Sequence, residues 1–187
     1  MNAFINGEAD AYAKRNAGHN PVEPWFTGLL ETIDFRTLID MGGGDGARAS
    51  EVLYRLPGVS WTISVDARAG ESYVGDGLQM VYGQDVETYD IPICDLVMFN
   101  YVLHWLPSAE QVLERAMKVS KYILINDFAP PYAIDVPYAH CEGVVTRKRR
   151  YGMYCAEAGW VRHIAVKYRY HNEPDGETCC AEIWRKP

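Results

Sequence analysis

A glycine-rich turn between a short apolar segment and an amphipathic one constrains this chain most. Residues 37–40 read as a strand and run into the sequence MGGGDG at residues 41–46. Apolar residues then recur at helical spacing from Ala49 to Leu56, until a Pro-Gly pair ends the pattern. Glycines in such a turn allow the backbone to approach a ligand closely, and the following helix N-terminus favours negative charge. The sequence therefore predicts a strand, turn and helix that bind a nucleotide-like ligand.

The remaining segments predict an α/β fold. Residues 61–66, 95–99 and 122–125 read as strands, and an amphipathic helix is predicted around residues 112–117. Two alternating segments, at 164–170 and 178–184, flank the turn sequence NEPDG and predict a C-terminal antiparallel hairpin. Strands that alternate with helices form a mostly parallel sheet, so we expect one such sheet that ends in this hairpin.

Composition limits the function classes. With 187 residues, 48% hydrophobic and 23% charged, the chain is predicted to form one globular unit. The net charge of −7 disfavours a nucleic-acid partner. No apolar run approaches the ~18 residues that a membrane span needs, and the first residues lack a secretion signal, so we expect a cytoplasmic protein without a membrane partner.

The cysteines and histidines indicate neither a disulfide framework nor a metal site. The five cysteines form an odd set without a C-x-x-C pair, and the five histidines are not paired with them at short spacing. No metal ligand is therefore predicted.

Two cofactor classes fit the glycine turn. The residues from Gly42 to Ala47 also match the loose dinucleotide pattern G-x-G-x-x-G/A. Asp40 would face a cation, such as the ammonium group of S-adenosylmethionine, rather than a pyrophosphate. Asp66, at the end of the next strand, could bind the ribose of either cofactor. The hairpin places a reversed strand in the sheet, whereas a dinucleotide-binding domain usually continues with parallel strands. Such a domain also needs a second domain for its substrate, for which we expect no room, so both points favour S-adenosylmethionine.

Several motifs in residues 37–187 carry a family resemblance. The loop at 40–46 looks like D/E-x-G-x-G-x-G, residues 82–86 look like an adenine-binding segment, and residues 95–107 and 155–160 resemble the fourth strand region and the last helix. In this order the motifs resemble the class I S-adenosylmethionine-dependent methyltransferases, in particular the small-molecule type of ubiquinone biosynthesis. The resemblance implies a single-domain Rossmann-like methyltransferase fold. Before it, the residue pattern of 1–36 predicts a helical leader, which we expect to cover the cofactor site.

The resemblance also implies a set of cofactor contacts. Asp40 with the amides of Gly42 and Gly44 would hold the methionine part, Asp66 the ribose, and Asp85 with Val86 the adenine. Asn100 would present its carbonyl or side chain to the cofactor ammonium. From the leader, Tyr12 and Trp25 would close over the cofactor, and Arg15 would meet its carboxylate.

Methyl transfer is an in-line displacement that depends mainly on positioning. His104, just after the fourth-strand region and expected to open a helix, is the preferred general base for a hydroxyl or acid acceptor, with His140 and Asp127 as rivals. Ordinary roles remain open: a cap or turn for Asp66 and Asp85, a hydrogen-bonded buried side chain for His104, and a solvated face for the basic run 147–150.

The sequence thus predicts methyl transfer to a small-molecule acceptor at oxygen, nitrogen or carbon. Three alternatives remain: a non-catalytic S-adenosylmethionine-binding partner subunit, a nicotinamide-dependent oxidoreductase, and a macromolecular methyltransferase that uses the basic run as a contact patch. Either a homo-oligomer or a hetero-oligomer is compatible with this interpretation.

Overall fold

The computed structural model describes residues 24–130, 133–137, 145–169 and 177–187. The helices in these ranges are α1 (Pro24–Leu30), α2 (Ala47–Arg55), α3 (Ala109–Val119) and α4 (Gly152–Glu157). The strands are β1 (Thr37–Met41), β2 (Trp61–Asp66), β3 (Tyr73–Gly75), β4 (Leu78–Tyr82), β5 (Leu96–Asn100), β6 (Tyr122–Phe128), β7 (Ile134–Pro137), β8 (Val145–Lys148), β9 (Val161–Arg169) and β10 (Thr178–Arg185).

Among the described residues, eight strands form one sheet in the order β3-β4-β2-β1-β5-β6-β10-β9. The strands from β4 to β6 in this order are parallel to one another, whereas β10 runs antiparallel to both β6 and β9. This arrangement confirms the predicted α/β class, the mostly parallel sheet and the C-terminal hairpin. Strands β7 and β8 pair in a separate antiparallel ribbon.

The sheet is covered on both faces, which explains why its central strands read as continuous apolar runs. In β5, Leu96 and Met98 pack on one face with residues of α1 and α2. Val97 and Phe99 pack on the opposite face with residues of α3 and α4. The alternation of side chains along a strand therefore supplies two separate hydrophobic layers.

The described end of the leader belongs to the core. Phe26 and Leu30 of α1 are fully buried and pack with Leu38 and Ile183 of the sheet. Trp25 packs against Tyr168 of β9, with ring centroids 5.0 Å apart. The predicted contact of the leader with a cofactor stays a prediction, because Tyr12 and Arg15 lie outside the described residues.

Three features differ from or add to the sequence expectation. Strands β3 and β4 and the β7–β8 ribbon were not predicted; β3 is exposed along its length and has no apolar pattern.

The predicted helix start at His104 is wrong, because residues Leu103–Trp105 form a 3₁₀ turn and α3 begins at Ala109. Pro107 explains the separation, since the residue before a proline avoids helical conformation. The predicted turn at 172–176 lies outside the described residues.

Neither a membrane helix nor a metal cluster is found in the described ranges. None of the helices there has the length and apolar character to span a bilayer. No group of three His, Cys, Asp or Glu residues in those ranges is arranged to bind a metal ion. The four described cysteines are buried free thiols.

Asp95 ties together the starts of three strands. Its Oδ2 atom accepts hydrogen bonds from the amides of Arg36 and Thr37 at 2.8 and 3.1 Å, and its Oδ1 atom lies 2.6 Å from Lys121 Nζ. Burial alone would raise the pKa of Asp95, but Lys121 and the two amides outweigh it and hold the pKa below its ordinary value. One carboxylate thus links the residues that precede or begin β1, β5 and β6.

We expect Asp95→Ala to lower the free energy of unfolding by about 1–3 kcal/mol, because charge-assisted hydrogen bonds are lost. A depressed pKa in the folded state contributes stability above the ordinary value of 3.8, and this contribution is lost as the pH falls. Urea unfolding at pH 7 and below pH 4 should therefore show a smaller difference from the wild type at the lower pH. Asp90→Ala, at an exposed carboxylate, is the control; equal effects of both variants would contradict the anchoring role.

Candidate functional site

The candidate site lies at the carboxyl edge of the parallel strands, at the ends of the neighbouring strands β1 and β5. Helix α2 follows β1 on one side and the loop to α3 follows β5 on the other, and such a switch point leaves a crevice in an open α/β sheet. The two loops touch there. A Cβ atom on Gly42 would lie 2.5 Å from Val102 Cγ2, and Gly42 has a φ of +76°, so this turn requires glycine.

The glycine loop is hydrogen-bonded to the end of β2. The amides of Gly42 and Gly43 donate to the carbonyl of Val65 at 2.8 and 3.1 Å. The next amide, that of Gly44, donates to Asp66 Oδ2 at 2.8 Å. The predicted contacts of the Gly42 and Gly44 amides with a cofactor are therefore not open in this conformation, because both amides already have partners within the chain.

Asp40 lies buried beneath this loop. Its side chain is fully inaccessible to solvent, and neither carboxylate oxygen has a hydrogen-bond partner among the residues that the structure describes. A Cβ atom on Gly43 would lie 2.6 Å from Asp40 Oδ2 and 2.2 Å from Ser64 Oγ, so the loop backbone rests on both groups. Burial raises the pKa of Asp40 to about 7; Arg48 lowers it, and Asp66 raises it. Asp40 is thus a buried acid next to the loop that Arg48 stabilises only in part.

Asp66 is engaged by Arg68 as well as by the loop. Its Oδ1 atom accepts from the Arg68 amide at 2.9 Å and lies 3.4 Å from the guanidinium Nε. The same guanidinium lies over the loop, since a Cβ atom on Gly44 would be 2.8 Å from Arg68 Nη2. The predicted ribose acid is therefore present at the strand end, with a basic side chain that the sequence interpretation overlooked.

Asp85 and Val86 begin the turn that follows β4. Asp85 Oδ1 accepts from the amide of Glu87 at 2.9 Å, the geometry of a side-chain-stabilised turn. The carbonyl of the buried Val86 accepts from Arg115 Nη2 at 3.1 Å. Hydrogen bonds from Gly83 to Arg68 and from Gln84 to Asp66 hold this turn against the end of β2. Asp85 thus stabilises a turn, and the contact of Asp85 and Val86 with the adenine of a cofactor stays a prediction.

Asn100 ends β5 within a hydrogen-bonded chain of side chains. Asn126 Nδ2 donates to Asn100 Oδ1 at 2.7 Å, and the Tyr168 hydroxyl donates to Asn126 Oδ1 at 2.5 Å. Tyr168 also hydrogen-bonds the hydroxyl of Tyr101. The side-chain oxygen of Asn100, predicted to meet a cofactor ammonium, is therefore already in use. In the sequence, the polar Asn126 directly after the apolar residues 122–125 is the feature that could have predicted these contacts.

His104 and Asp127 form a buried pair. His104 Nδ1 lies 2.7 Å from Asp127 Oδ1, and the His104 amide donates to Oδ2 at 3.3 Å. Both side chains are at most 5% exposed. No partner of His104 Nε2 lies in the described parts of the chain. The two residues named separately as rival bases thus form one unit.

The aromatic surroundings hold the pair in place. The rings of Trp105 and Phe128 lie with their centroids 4.9 Å from that of His104. The Tyr151 hydroxyl donates to the carbonyl of Leu103 at 3.2 Å and thereby links the 3₁₀ turn to the start of α4. Burial raises the pKa of Tyr151, so this hydroxyl stays protonated. The third rival base, His140, lies outside the described residues.

Comparison by sequence gives no relative. No protein-family model matches the chain, and no curated protein is significantly similar to it.

Comparison by structure gives clear similarities. A 1,6-didemethyltoxoflavin-N1-methyltransferase of Burkholderia thailandensis, with its substrate and S-adenosylhomocysteine bound, has a TM-score of 0.65 and 16% identity, over 99% of this chain and 79% of that chain. A putative methyltransferase of Haloferax volcanii, in complex with a methyltransferase activator, has a TM-score of 0.63 and 15% identity, over 100% of this chain and 99% of that chain. The N-terminal domain of EvdMO1, with S-adenosylhomocysteine and D-fucose, has a TM-score of 0.59 and 15% identity, over 86% of this chain and 80% of that chain.

These similarities show that the chain has the class I methyltransferase fold, as the sequence resemblance implied. The narrower resemblance to the ubiquinone-biosynthesis type stays a prediction.

The raised pKa of Asp40 predicts an unusual dependence of stability on pH. Between the ordinary value of 3.8 and about 7, the folded state binds the proton more tightly than the unfolded state, so stability falls as the pH rises through this range. We expect Asp40→Asn to remove this loss and to stabilise the protein at pH 8 by up to roughly 4 kcal/mol, with no gain at or below pH 4.

Thermal or urea unfolding between pH 4 and pH 8 measures this difference. Asp90→Asn, at an exposed carboxylate outside the glycine loop, is the control and should change little. A wild-type stability that does not fall relative to Asp40→Asn over this range would contradict the buried-acid assignment.

Proposed function

We propose that the chain transfers a methyl group from S-adenosylmethionine to a hydroxyl oxygen of a small-molecule acceptor. One observation carries the choice of acceptor atom. The buried His104–Asp127 pair follows β5 and ends β6, at the same carboxyl edge as the glycine loop. A histidine held by a carboxylate is suited to remove the proton of a hydroxyl group.

The charges around the glycine loop fit S-adenosylmethionine. Arg48 is the main cation that acts on Asp40, Asp66 and Asp45 act on it as like charges, and its oxygens have no hydrogen-bond partner among the described residues. A cofactor that carries sulfonium and ammonium groups would balance these three acids, whereas a pyrophosphate would be repelled by them. Two of the structurally similar proteins bind S-adenosylhomocysteine, which supports the same cofactor here.

The cofactor contacts that we propose depend on the hydrogen bonds that each side chain already makes within the described residues. Asp66 would accept the ribose hydroxyls in exchange for its contact with the Arg68 guanidinium, which at 3.4 Å is its longest hydrogen bond. Asn100 keeps its Nδ2 group for the carboxylate end of the cofactor, because Oδ1 is occupied by Asn126. Asp85 Oδ1 is used in its turn, so the second oxygen would serve the adenine amino group.

The chemistry assigned to this chain is positioning and proton removal. When bound, S-adenosylmethionine supplies an electrophilic methyl group. His104 Nε2 takes the proton of the acceptor hydroxyl as the oxygen becomes nucleophilic. Asp127 fixes the tautomer that carries a proton on Nδ1 and stabilises the imidazolium that forms. Asp127 acts through His104 and is a positioning residue.

A binding subunit is the second candidate. The chain covers nearly the whole of a putative methyltransferase that was solved with an activator subunit. In this alternative the chain binds the cofactor but needs a partner for turnover. Cofactor binding without product, when the isolated chain is offered a panel of hydroxyl acceptors, would favour it.

We expect S-adenosylmethionine and S-adenosylhomocysteine to bind with micromolar affinity in calorimetric titrations, and NADH not to bind. Asp66→Ala should weaken this binding at least about tenfold, the effect of roughly 1.4 kcal/mol. Gly44→Val should abolish it, since Gly44 has a φ of +65° and its open side faces Arg68. Asp90→Ala serves as the control, and binding of NADH alone would overturn the cofactor assignment.

We expect His104→Ala to lower the transfer rate about 10²-fold and to leave the affinity for S-adenosylhomocysteine unchanged. Asp127→Asn should also lower the rate, because it disturbs the tautomer of His104. Formation of S-adenosylhomocysteine from a panel of phenols and hydroxy acids measures both effects. The matched control is His163→Ala, an exposed histidine that contacts the carbonyl of Thr32. A wild-type rate in His104→Ala would remove the general base from the proposal.

A further inference from the structure

A cavity of about 330 Å³ adjoins the His104–Asp127 pair on the face of the sheet that carries α3 and α4. Its floor is a row of three residues in register across neighbouring strands: Asp127 of β6 pairs with Cys180 of β10, which pairs with Lys167 of β9. The floor therefore begins at the acid that holds the candidate base and ends at a cation.

The walls come from two turns. Residues 128–130, which follow Asp127, form one wall, and residues 150–152, which lead into α4, form the other. A Cβ atom on Gly152 would lie 1.8 Å from Glu182 Oε2, so the chain passes directly against Glu182 at this point. The cavity is thus built from both the parallel sheet and the terminal hairpin.

The acids that line the cavity already have partners. Asp127 accepts from His104 and from the amide of Phe128. Glu182 Oε1 lies 3.3 Å from Arg162, and its Oε2 accepts from Trp184 Nε1 at 3.3 Å. Neither acid therefore needs a cationic ligand to balance its charge.

The cations that line the cavity differ from these acids. Within the described ranges, neither the guanidinium of Arg150 nor the ammonium of Lys167 has a hydrogen bond or an ion pair, and both side chains are exposed. Their neighbours in the basic run differ: Lys148 pairs with Glu177, and Arg149 pairs with Asp135 at 2.5 Å. In a chain of net charge −7, two cations at one cavity that lack an ion-pair partner among the described residues are a local exception.

We propose that this cavity binds an anionic group, a carboxylate or a phosphate, through Arg150 and Lys167. Resting on the proposed methyl transfer, the inference identifies the acceptor as a hydroxyl compound that carries this group. Arginine and lysine both form charge-assisted hydrogen bonds to such anions. Phe128 and Tyr151 line the same cavity and add aromatic surface for the body of the acceptor. The anion fixes the acceptor next to the residue that positions His104.

The test uses the full chain and three probes: 4-hydroxybenzoate, its uncharged analogue 4-hydroxybenzamide, and inorganic phosphate. We expect the acid to bind at least tenfold more tightly than the amide, and phosphate to compete with the acid. Arg150→Gln and Lys167→Gln should each lower the affinity for 4-hydroxybenzoate at least tenfold and change the affinity for 4-hydroxybenzamide less than twofold. Arg149→Gln removes the same charge from the same run and should leave the ratio of the two affinities unchanged. Thermal melting of each variant confirms that it is folded.

The inference is overturned if the acid and the amide bind equally, if neither the acid nor phosphate binds, or if both Gln variants keep the wild-type preference. A parallel titration with S-adenosylhomocysteine separates the two proposals. Cofactor binding without any anion preference contradicts the cavity assignment alone. Anion preference without cofactor binding supports the cavity and overturns the methyl transfer.

Discussion

The carbonyl of Val65 accepts hydrogen bonds from two successive amides, those of Gly42 and Gly43, and this pair of bonds fixes the geometry of the glycine loop. It bends the chain from β1 across the end of β2. The bend places backbone on top of Asp40 and brings the next amide to Asp66. The burial of one acid and the anchoring of another therefore result from a single turn.

The second half of the site depends on the terminal hairpin. Strand β10 supplies Cys180 beside Asp127, and β9 supplies Tyr168, whose hydroxyl reaches Asn126. Tyr151 adds a hydrogen bond to the carbonyl of Leu103 and so connects the start of α4 to the turn that carries His104. The glycine loop and the His104–Asp127 pair are thus held by different elements, and the parallel sheet between them fixes their relation.

Much of the fold follows from sequence pattern because the central strands are buried on both faces. Strands β1, β5 and β6 read as apolar runs for that reason, and β2 was predicted from its alternating pattern. Strand β3 is exposed and β4 is only partly buried, so neither has a distinct pattern. In the site, strand ends predicted the positions of Asp40, Asp66 and Asn100. The pairing of His104 with Asp127 could not be predicted, because it depends on how the loop after β5 packs against β6, 23 residues further along the chain.

The position of β10 has a consequence for synthesis of the chain. It lies between β6 and β9 although it follows both in sequence. While the ribosome is still adding residues 161–177, β9 has no neighbour in the main sheet and β6 has an open edge. Domains emerge from the ribosome N-terminal part first, and unpaired strand edges are prone to aggregate. The nascent chain therefore carries two incomplete edges until β10 emerges and closes both at once.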